Sequence, residues 1–109
     1  MMTRNTQLHE TASFTFEIND EITYHSPDDF LSASARKKFM ELLQLKERNQ
    51  ENLQRLETMR ERYYHADDAE RASMRKNILD AEKELERQNV SILNTEKNIR
   101  NEEIMLLTK

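Results

Sequence analysis

A seven-residue apolar period near the end of the chain is the strongest constraint on its fold. Isoleucine or leucine fills every seventh position from 78 to 106: Ile78, Leu85, Ile92, Ile99 and Leu106. Such a period is typical of a coiled coil, because it keeps one apolar seam facing a partner helix. The chain has no glycine and only one proline, so few residues interrupt a helix. This segment therefore predicts a long helix packed lengthwise against another.

The preceding segment carries a matching heptad pattern with a shifted phase. Its two seam positions hold Leu42, Asn49, Leu56 and Tyr63, and Leu45, Asn52, Met59 and Ala66. The later segment extends its seam back to Arg71, and its second seam position holds Met74, Ala81, Gln88, Thr95 and Glu102. The phase slips between Tyr63 and Arg71, where Asp67 and Glu70 have the spacing of a capping box.

The phase slip has two interpretations, a helical hairpin or one unbroken helix with a stutter. Folding the chain at residue 67 places Leu56 opposite Ile78 and Leu42 opposite Ile92. The same fold makes the two arms end together. We therefore favour the hairpin, with a tight turn over residues 65–68.

A different period precedes the helices. Apolar residues alternate with polar ones through Phe14, Phe16, Ile18, Ile22 and Tyr24, as in β-strands. A three-residue turn over 19–21 pairs Phe16 with Tyr24 and keeps one face apolar, whereas a two-residue turn splits the apolar residues between faces. Asn or Asp in this turn can adopt the left-handed conformation that glycine usually takes.

The predicted fold is mainly α: a long antiparallel helical hairpin (coiled coil) preceded by a short N-terminal β-hairpin. Residues 1–11 are expected to form a disordered tail. A single domain, 12–109, comprises the β-hairpin (12–25), helix 1 (26–64), the turn (65–68) and helix 2 (69–107). Ser26 and Pro27 suit the start of helix 1, although a second cap at Ser32 or Ser34 would interrupt it briefly.

Apolar residues outside the seam indicate self-association. Leu79, Leu93 and Leu107 recur one position past the seam of helix 2, and Phe39 and Leu53 do so on helix 1. A two-helix seam leaves this stripe in water, so a second hairpin would cover it in a four-helix arrangement. The phenylalanines and the segment 104–107 are expected to meet as a small α+β base at the open end.

Exposed aromatic and apolar side chains are the residues that most often anchor protein contacts. Tyr64 is the best such candidate at the turn. The complete set of predicted protein-interface residues is Phe14, Phe16, Ile18, Phe39, Leu53, Tyr64, Leu79, Leu93 and Leu107.

No residue pattern indicates catalysis or a cofactor. The chain has no cysteine, and a His65 site with Glu61, Asp67 and Asp68 is less convincing as a metal centre than as helix capping. Paired acids such as Glu102 and Glu103 are expected at helix ends or on solvated faces. We expect no catalytic residue, cofactor, metal or small-molecule substrate, and therefore no enzyme.

The charge distribution and the hydropathy of the chain indicate which partners to expect and where the protein is located. The net charge is −4, and the one basic region, residues 36–65, is interspersed with glutamates. This distribution argues against nucleic-acid binding. No apolar run approaches the roughly 20 residues that span a bilayer, and the first ten residues lack a signal-peptide core. We expect a cytoplasmic protein without membrane contact.

The functional hypothesis is a non-enzymatic coiled-coil module for protein–protein interaction. It would self-associate as a homodimer or larger oligomer and serve as an adaptor, chaperone or structural subunit for an unidentified protein. The alternative is a regulator that recruits its partner by β-strand addition through residues 13–25.

Overall fold

A computed structural model of the protein describes residues 14–109. The elements in chain order are strand β1 (Phe16–Glu17), strand β2 (Thr23–Tyr24), a 3₁₀ helix (Pro27–Asp29) and the helices α1 (Ala33–His65) and α2 (Asp68–Leu107). The predicted tail, residues 1–11, lies outside the described residues.

The two long helices pack against each other as a hairpin, which confirms the fold predicted from the heptads. Every seam residue named above is buried or half-buried except Leu106. Leu42, Leu56, Leu85 and Ile99 are among the most completely buried. Apolar burial along one stripe therefore stabilises the pair, while the remaining helix surface stays hydrated.

Reciprocal hydrogen bonds define the turn between the helices. The Glu70 amide donates to Asp67 Oδ1 at 2.9 Å, and the Asp67 amide donates to Glu70 Oε1 at 3.3 Å. This is the capping box that the sequence predicted, and it satisfies amides at the start of α2 that lack partners within the helix. The helical hairpin, rather than one continuous helix, is the result.

The β-hairpin has the predicted register, with Phe16 opposite Tyr24. The turn does not use the left-handed conformation that Asn or Asp can adopt, since none of residues 14–109 has a positive φ. Instead, Asn19 Oδ1 accepts hydrogen bonds from the Glu21 and Ile22 amides, each at 2.8 Å. The side chain thus closes the turn as an Asx motif, which removes the need for a strained backbone.

The first helix does not run unbroken from residue 26. Ser26 and Asp29 form a capping box around the short 3₁₀ helix, and the chain becomes extended at Phe30. Ser32 then caps α1, because its Oγ accepts a hydrogen bond from the Ala35 amide at 3.1 Å. Of the two alternatives, the second cap at Ser32 is the one that forms.

The described residues divide into two compact units. The strand unit comprises residues 14–41 and 95–109, and its core contains the aromatic side chains. The turn unit comprises Leu42–Asn94, and its buried residues are Leu42, Leu56, Leu85 and Gln88. The division does not test the prediction of a single domain over 12–109.

Candidate functional site

The phenylalanines of the strand unit form one aromatic core. The Phe39 ring centroid lies 5.2 Å from that of Phe16, 5.0 Å from that of Phe30 and 4.5 Å from that of Phe14. Tyr24 meets Phe30 edge-on at 4.9 Å. Tilted and edge-on pairs at these distances add to the stabilisation from area burial. The meeting of the phenylalanines predicted from the sequence is therefore observed.

This core contains four of the residues predicted to contact other proteins. Phe16, Ile18 and Phe39 are buried and Phe14 is half-buried. The expectation that Phe39 faces water is wrong, because the β-hairpin of its own chain covers it. On α2, the Arg100 guanidinium lies 4.8 Å from the Phe16 ring centroid and donates to the Glu17 carbonyl at 2.7 Å.

A buried carboxylate holds the elements of the strand unit together. Glu103 Oε1 accepts from the Tyr24 hydroxyl at 2.7 Å and from the Leu31 amide at 2.9 Å. Glu103 Oε2 accepts from the Ser32 amide at 2.9 Å. Because Ser32 caps α1, the carboxylate also lies near the positive end of that helix dipole. A glutamate of α2 thereby connects β2, the 30–32 segment and the start of α1.

Glu103 lies near the end of α2, but the expectation of a solvated side chain is wrong, since it is 0% exposed. The sequence offers no signal for this burial. Glu103 lies one position past the seam residue Glu102, at a position that water occupies in an isolated helix pair. The β-hairpin and the segment before α1 together exclude that water.

Two pKa values in the strand unit are shifted. Burial, followed by the hydrogen bond to Glu103, raises the pKa of the Tyr24 hydroxyl well above its ordinary value of 10.0. The hydrogen bond from Lys38 Nζ lowers the pKa of Glu102. Tyr24 therefore stays protonated and Glu102 stays ionised over the physiological range. Both roles are structural, since Glu103 and Lys38 already occupy these groups.

The surface of the turn unit contains exposed apolar residues on α2. Leu79 is 50% exposed, Val90 is 53% exposed and Leu93 is 64% exposed. Leu53 on α1 is half-buried. Residues 79 and 90 are eleven apart, close to three helical turns, so they share a face with Leu93. Leu79 and Leu93 were predicted, but Val90 was missed because it lies outside the strict heptad.

The apolar C-terminus of α2 is only partly covered. Ile104 is half-buried, whereas Met105, Leu106 and Leu107 are exposed. Leu107 thus has the exposure predicted for an interface residue, but Leu106 does not contribute the buried seam contact expected of it. The predicted base is built mainly from the aromatic core and not from residues 104–107.

A groove beside the turn between the helices contains the other predicted contact residue, Tyr64. This turn groove measures about 590 Å³ and is lined by Arg60, Tyr63, Tyr64, Arg71, Arg75, Ile78 and Leu79. Tyr64 is 77% exposed. Tyr64 was predicted as a contact residue, but the arginines were missed because they come from two helices that only the hairpin brings together.

The arginines of the turn groove have different partners. Arg60 pairs with Glu82 at 2.8 Å. Arg71 donates to the Tyr63 and Tyr64 carbonyls at 3.0 and 3.2 Å, and its guanidinium lies 5.3 Å from the Tyr63 ring centroid. Arg75 donates to the Tyr63 hydroxyl at 3.3 Å. The contacts of Arg71 and Arg75 are thus with neutral groups, which leave both positive charges in place.

His65, considered above as a metal ligand, lies beside Glu61 at the end of α1. His65 Nε2 lies 3.4 Å from Glu61 Oε1, and both side chains are largely exposed. Within residues 14–109, no cluster of three or more histidines and carboxylates has the geometry to bind a metal ion. Over the same residues, neither long helix has a stretch sufficiently apolar to span a bilayer.

Searches against protein families, curated proteins and solved structures found no match to this chain.

Proposed function

We propose that the protein is a non-enzymatic interaction module that self-associates through the exposed apolar face of α2 in the turn unit. The support comes from Leu79, Val90 and Leu93, three large apolar side chains that are each at least half exposed on one helix face. Single exposed apolar residues are common on protein surfaces, but a row of them on one face is typical of helix association.

Charges between these residues specify an antiparallel arrangement. Lys83 and Glu86 lie on the same face, between Leu79 and Val90, and both are exposed. A two-fold axis beside residues 84–85 places Leu79 opposite the partner's Val90 and Lys83 opposite the partner's Glu86. An isologous contact of this kind makes each pairing twice, so the apolar and ionic contacts reinforce each other.

Self-association gives the module its role as an adaptor, chaperone or structural subunit. Two hairpins joined through α2 form a four-helix arrangement. The strand units, each held by its own aromatic core, are then carried in two copies. The β-strand addition through residues 13–25 stays a prediction, and the burial of Phe16 and Ile18 within the chain does not support it.

Sedimentation equilibrium at tens of micromolar tests this proposal. We expect a dimer or larger oligomer for the native chain and a helical monomer for the double variant Val90→Glu, Leu93→Glu. Both side chains are exposed, so the substitutions leave the seam intact. A folded monomer of the native chain at these concentrations would contradict self-association.

Charge reversal tests the antiparallel register. Lys83→Glu and Glu86→Lys should each weaken association by about tenfold, because each places like charges opposite each other. The combined variant should restore it. Lys37→Glu, the same charge change on the strand unit, is the matched control. Equal effects of Lys83→Glu and Lys37→Glu would rule out this register.

A further inference from the structure

We infer that the turn groove binds an acidic peptide segment of another protein, one that presents an apolar side chain between carboxylates. This goes beyond self-association, since it concerns a second surface and a different partner. The inference rests on two guanidiniums whose positive charges are not neutralised and on the apolar wall of the groove.

Charge identifies the first requirement for the ligand. Arg71 and Arg75 contact two carbonyls, a hydroxyl and a ring, none of which neutralises a positive charge. No carboxylate of the described part of the chain forms an ion pair with either residue. Guanidiniums bind carboxylates with two parallel hydrogen bonds, which gives both affinity and orientation. The groove therefore complements glutamate or aspartate side chains.

The walls of the groove identify the second requirement. Ile78, Leu79 and the two tyrosine rings provide apolar surface beside the guanidiniums. Tyr64 is 77% exposed and is therefore accessible to a ligand, whereas Leu79, 50% exposed, borders the self-association face as well. An apolar side chain between the carboxylates would cover the Tyr64 ring. Tyrosine and arginine are also the residue types most enriched at the centres of protein interfaces.

The geometry of the groove is largely prepared in the free chain. Both hydrogen bonds of Arg71 anchor its guanidinium to carbonyls near the end of α1, and the Tyr63 ring lies against it. Arg75 is oriented by the Tyr63 hydroxyl. A side chain that is already positioned loses less conformational entropy when a ligand binds. Tyr63 is therefore the positioning residue for both arginines.

A peptide fits these features better than a nucleic acid does. Nucleic-acid sites use a continuous basic face that follows the phosphate backbone. Here the two guanidiniums without an ion pair lie in one groove, Arg60 is paired with Glu82, and the chain has a net charge of −4. A polyanion extending beyond the groove would meet many carboxylates, whereas a short acidic segment would not.

Fluorescence anisotropy with labelled peptides tests the inference on the full chain. The probe alternates glutamate with leucine, and two comparison peptides replace every glutamate by glutamine or every leucine by serine. An oligothymidylate of similar length is the nucleic-acid probe. We expect the glutamate–leucine peptide to bind most tightly, and its affinity to fall as salt rises.

Matched variants locate the binding. Arg75→Glu should weaken binding of the glutamate–leucine peptide by about tenfold or more, since it replaces attraction by repulsion. Arg62→Glu is the control, because Arg62 lies beside a different groove at the same turn, with Glu61, His65 and Glu70. Circular dichroism checks that helicity is retained. If Arg75→Glu loses helicity, Tyr64→Ala is used as the test variant in its place. The Tyr64 ring is exposed, so its removal should leave the fold intact.

Three outcomes would overturn the inference. They are no saturable binding of the glutamate–leucine peptide, equal losses for Arg75→Glu and Arg62→Glu, and tighter binding of the oligothymidylate than of any peptide. The Val90→Glu, Leu93→Glu variant separates this result from self-association. It should bind the peptide as a monomer if the groove acts alone, even though Leu79 borders both surfaces.

Discussion

Glu103 accepts three hydrogen bonds although its side chain is fully buried. Removing a carboxylate from water is costly, and its donors must offset that cost. Here the donors are one hydroxyl and two amides that would themselves be unsatisfied without it. Tyr24, Leu31 and Ser32 therefore depend on Glu103 as much as it depends on them.

Glu103→Gln should lower the free energy of unfolding by about 1–3 kcal/mol, because the amide nitrogen cannot accept the hydrogen bond that one oxygen now accepts. Urea unfolding followed by circular dichroism measures the change. Glu102→Gln is the adjacent control, and its partly exposed ion pair with Lys38 should be worth about 1 kcal/mol or less. Equal losses for the two variants would contradict the role assigned to Glu103.

The raised pKa of Tyr24 predicts a loss of stability at high pH. Its contribution is present in full below its ordinary pKa of 10.0 and is lost as the pH rises towards the folded-state value, because the unfolded chain releases this proton first. Between about pH 9 and about pH 11, the native chain should lose on the order of 1 kcal/mol more than Tyr24→Phe. Parallel losses in both proteins, measured by urea unfolding, would disprove this linkage.

Different contacts specify the geometry of the β-hairpin and of the helical hairpin. In the β-hairpin, Asn19 closes the turn with its side chain, and only two residues of each strand pair. So short a ribbon is marginal alone, and its stability comes from the aromatic core beneath it. In the helical hairpin, the capping box starts α2, while the seam supplies the burial.

A polar pair interrupts the seam of the turn unit. Asn49 Nδ2 donates to Gln88 Oε1 at 3.0 Å, and Gln88 is buried. Polar pairs at seam positions lower stability but favour one register, since a shifted helix would bury both amides without partners. The two residues therefore connect the chemistry of the seam to the alignment of α1 with α2.

Replacing both Asn49 and Gln88 by leucine should raise the free energy of unfolding by about 1–2 kcal/mol, because apolar burial replaces a desolvated amide pair. Asn49→Leu alone should lower it by about 1–3 kcal/mol, since the Gln88 amide is left buried and unpaired. A double-mutant cycle in urea separates these terms. Single variants that stabilise as much as the double would show that the pair does not set the register.

Across the molecule, buried apolar residues stabilise the fold and exposed ones are available for binding. The aromatic side chains of the strand unit pack in its own core, so they stabilise the fold. Leu79, Val90, Leu93 and Tyr64 of the turn unit stay exposed. The proposals of self-association and peptide binding both rest on the turn unit, and different variants test them.

Periodicity along the chain and the capping-box spacing of Asp67 and Glu70 were enough to predict two helices, their seam, the turn between them and the pairing of Phe16 with Tyr24. These features depend on residues close in sequence or on one repeated spacing, so local physics decides them. The burial of Phe39 and Glu103, and the meeting of Arg71 and Arg75 with Tyr63, were decided by tertiary structure. Each depends on which distant element covers a position outside the seam, and a helical repeat carries no information about that contact.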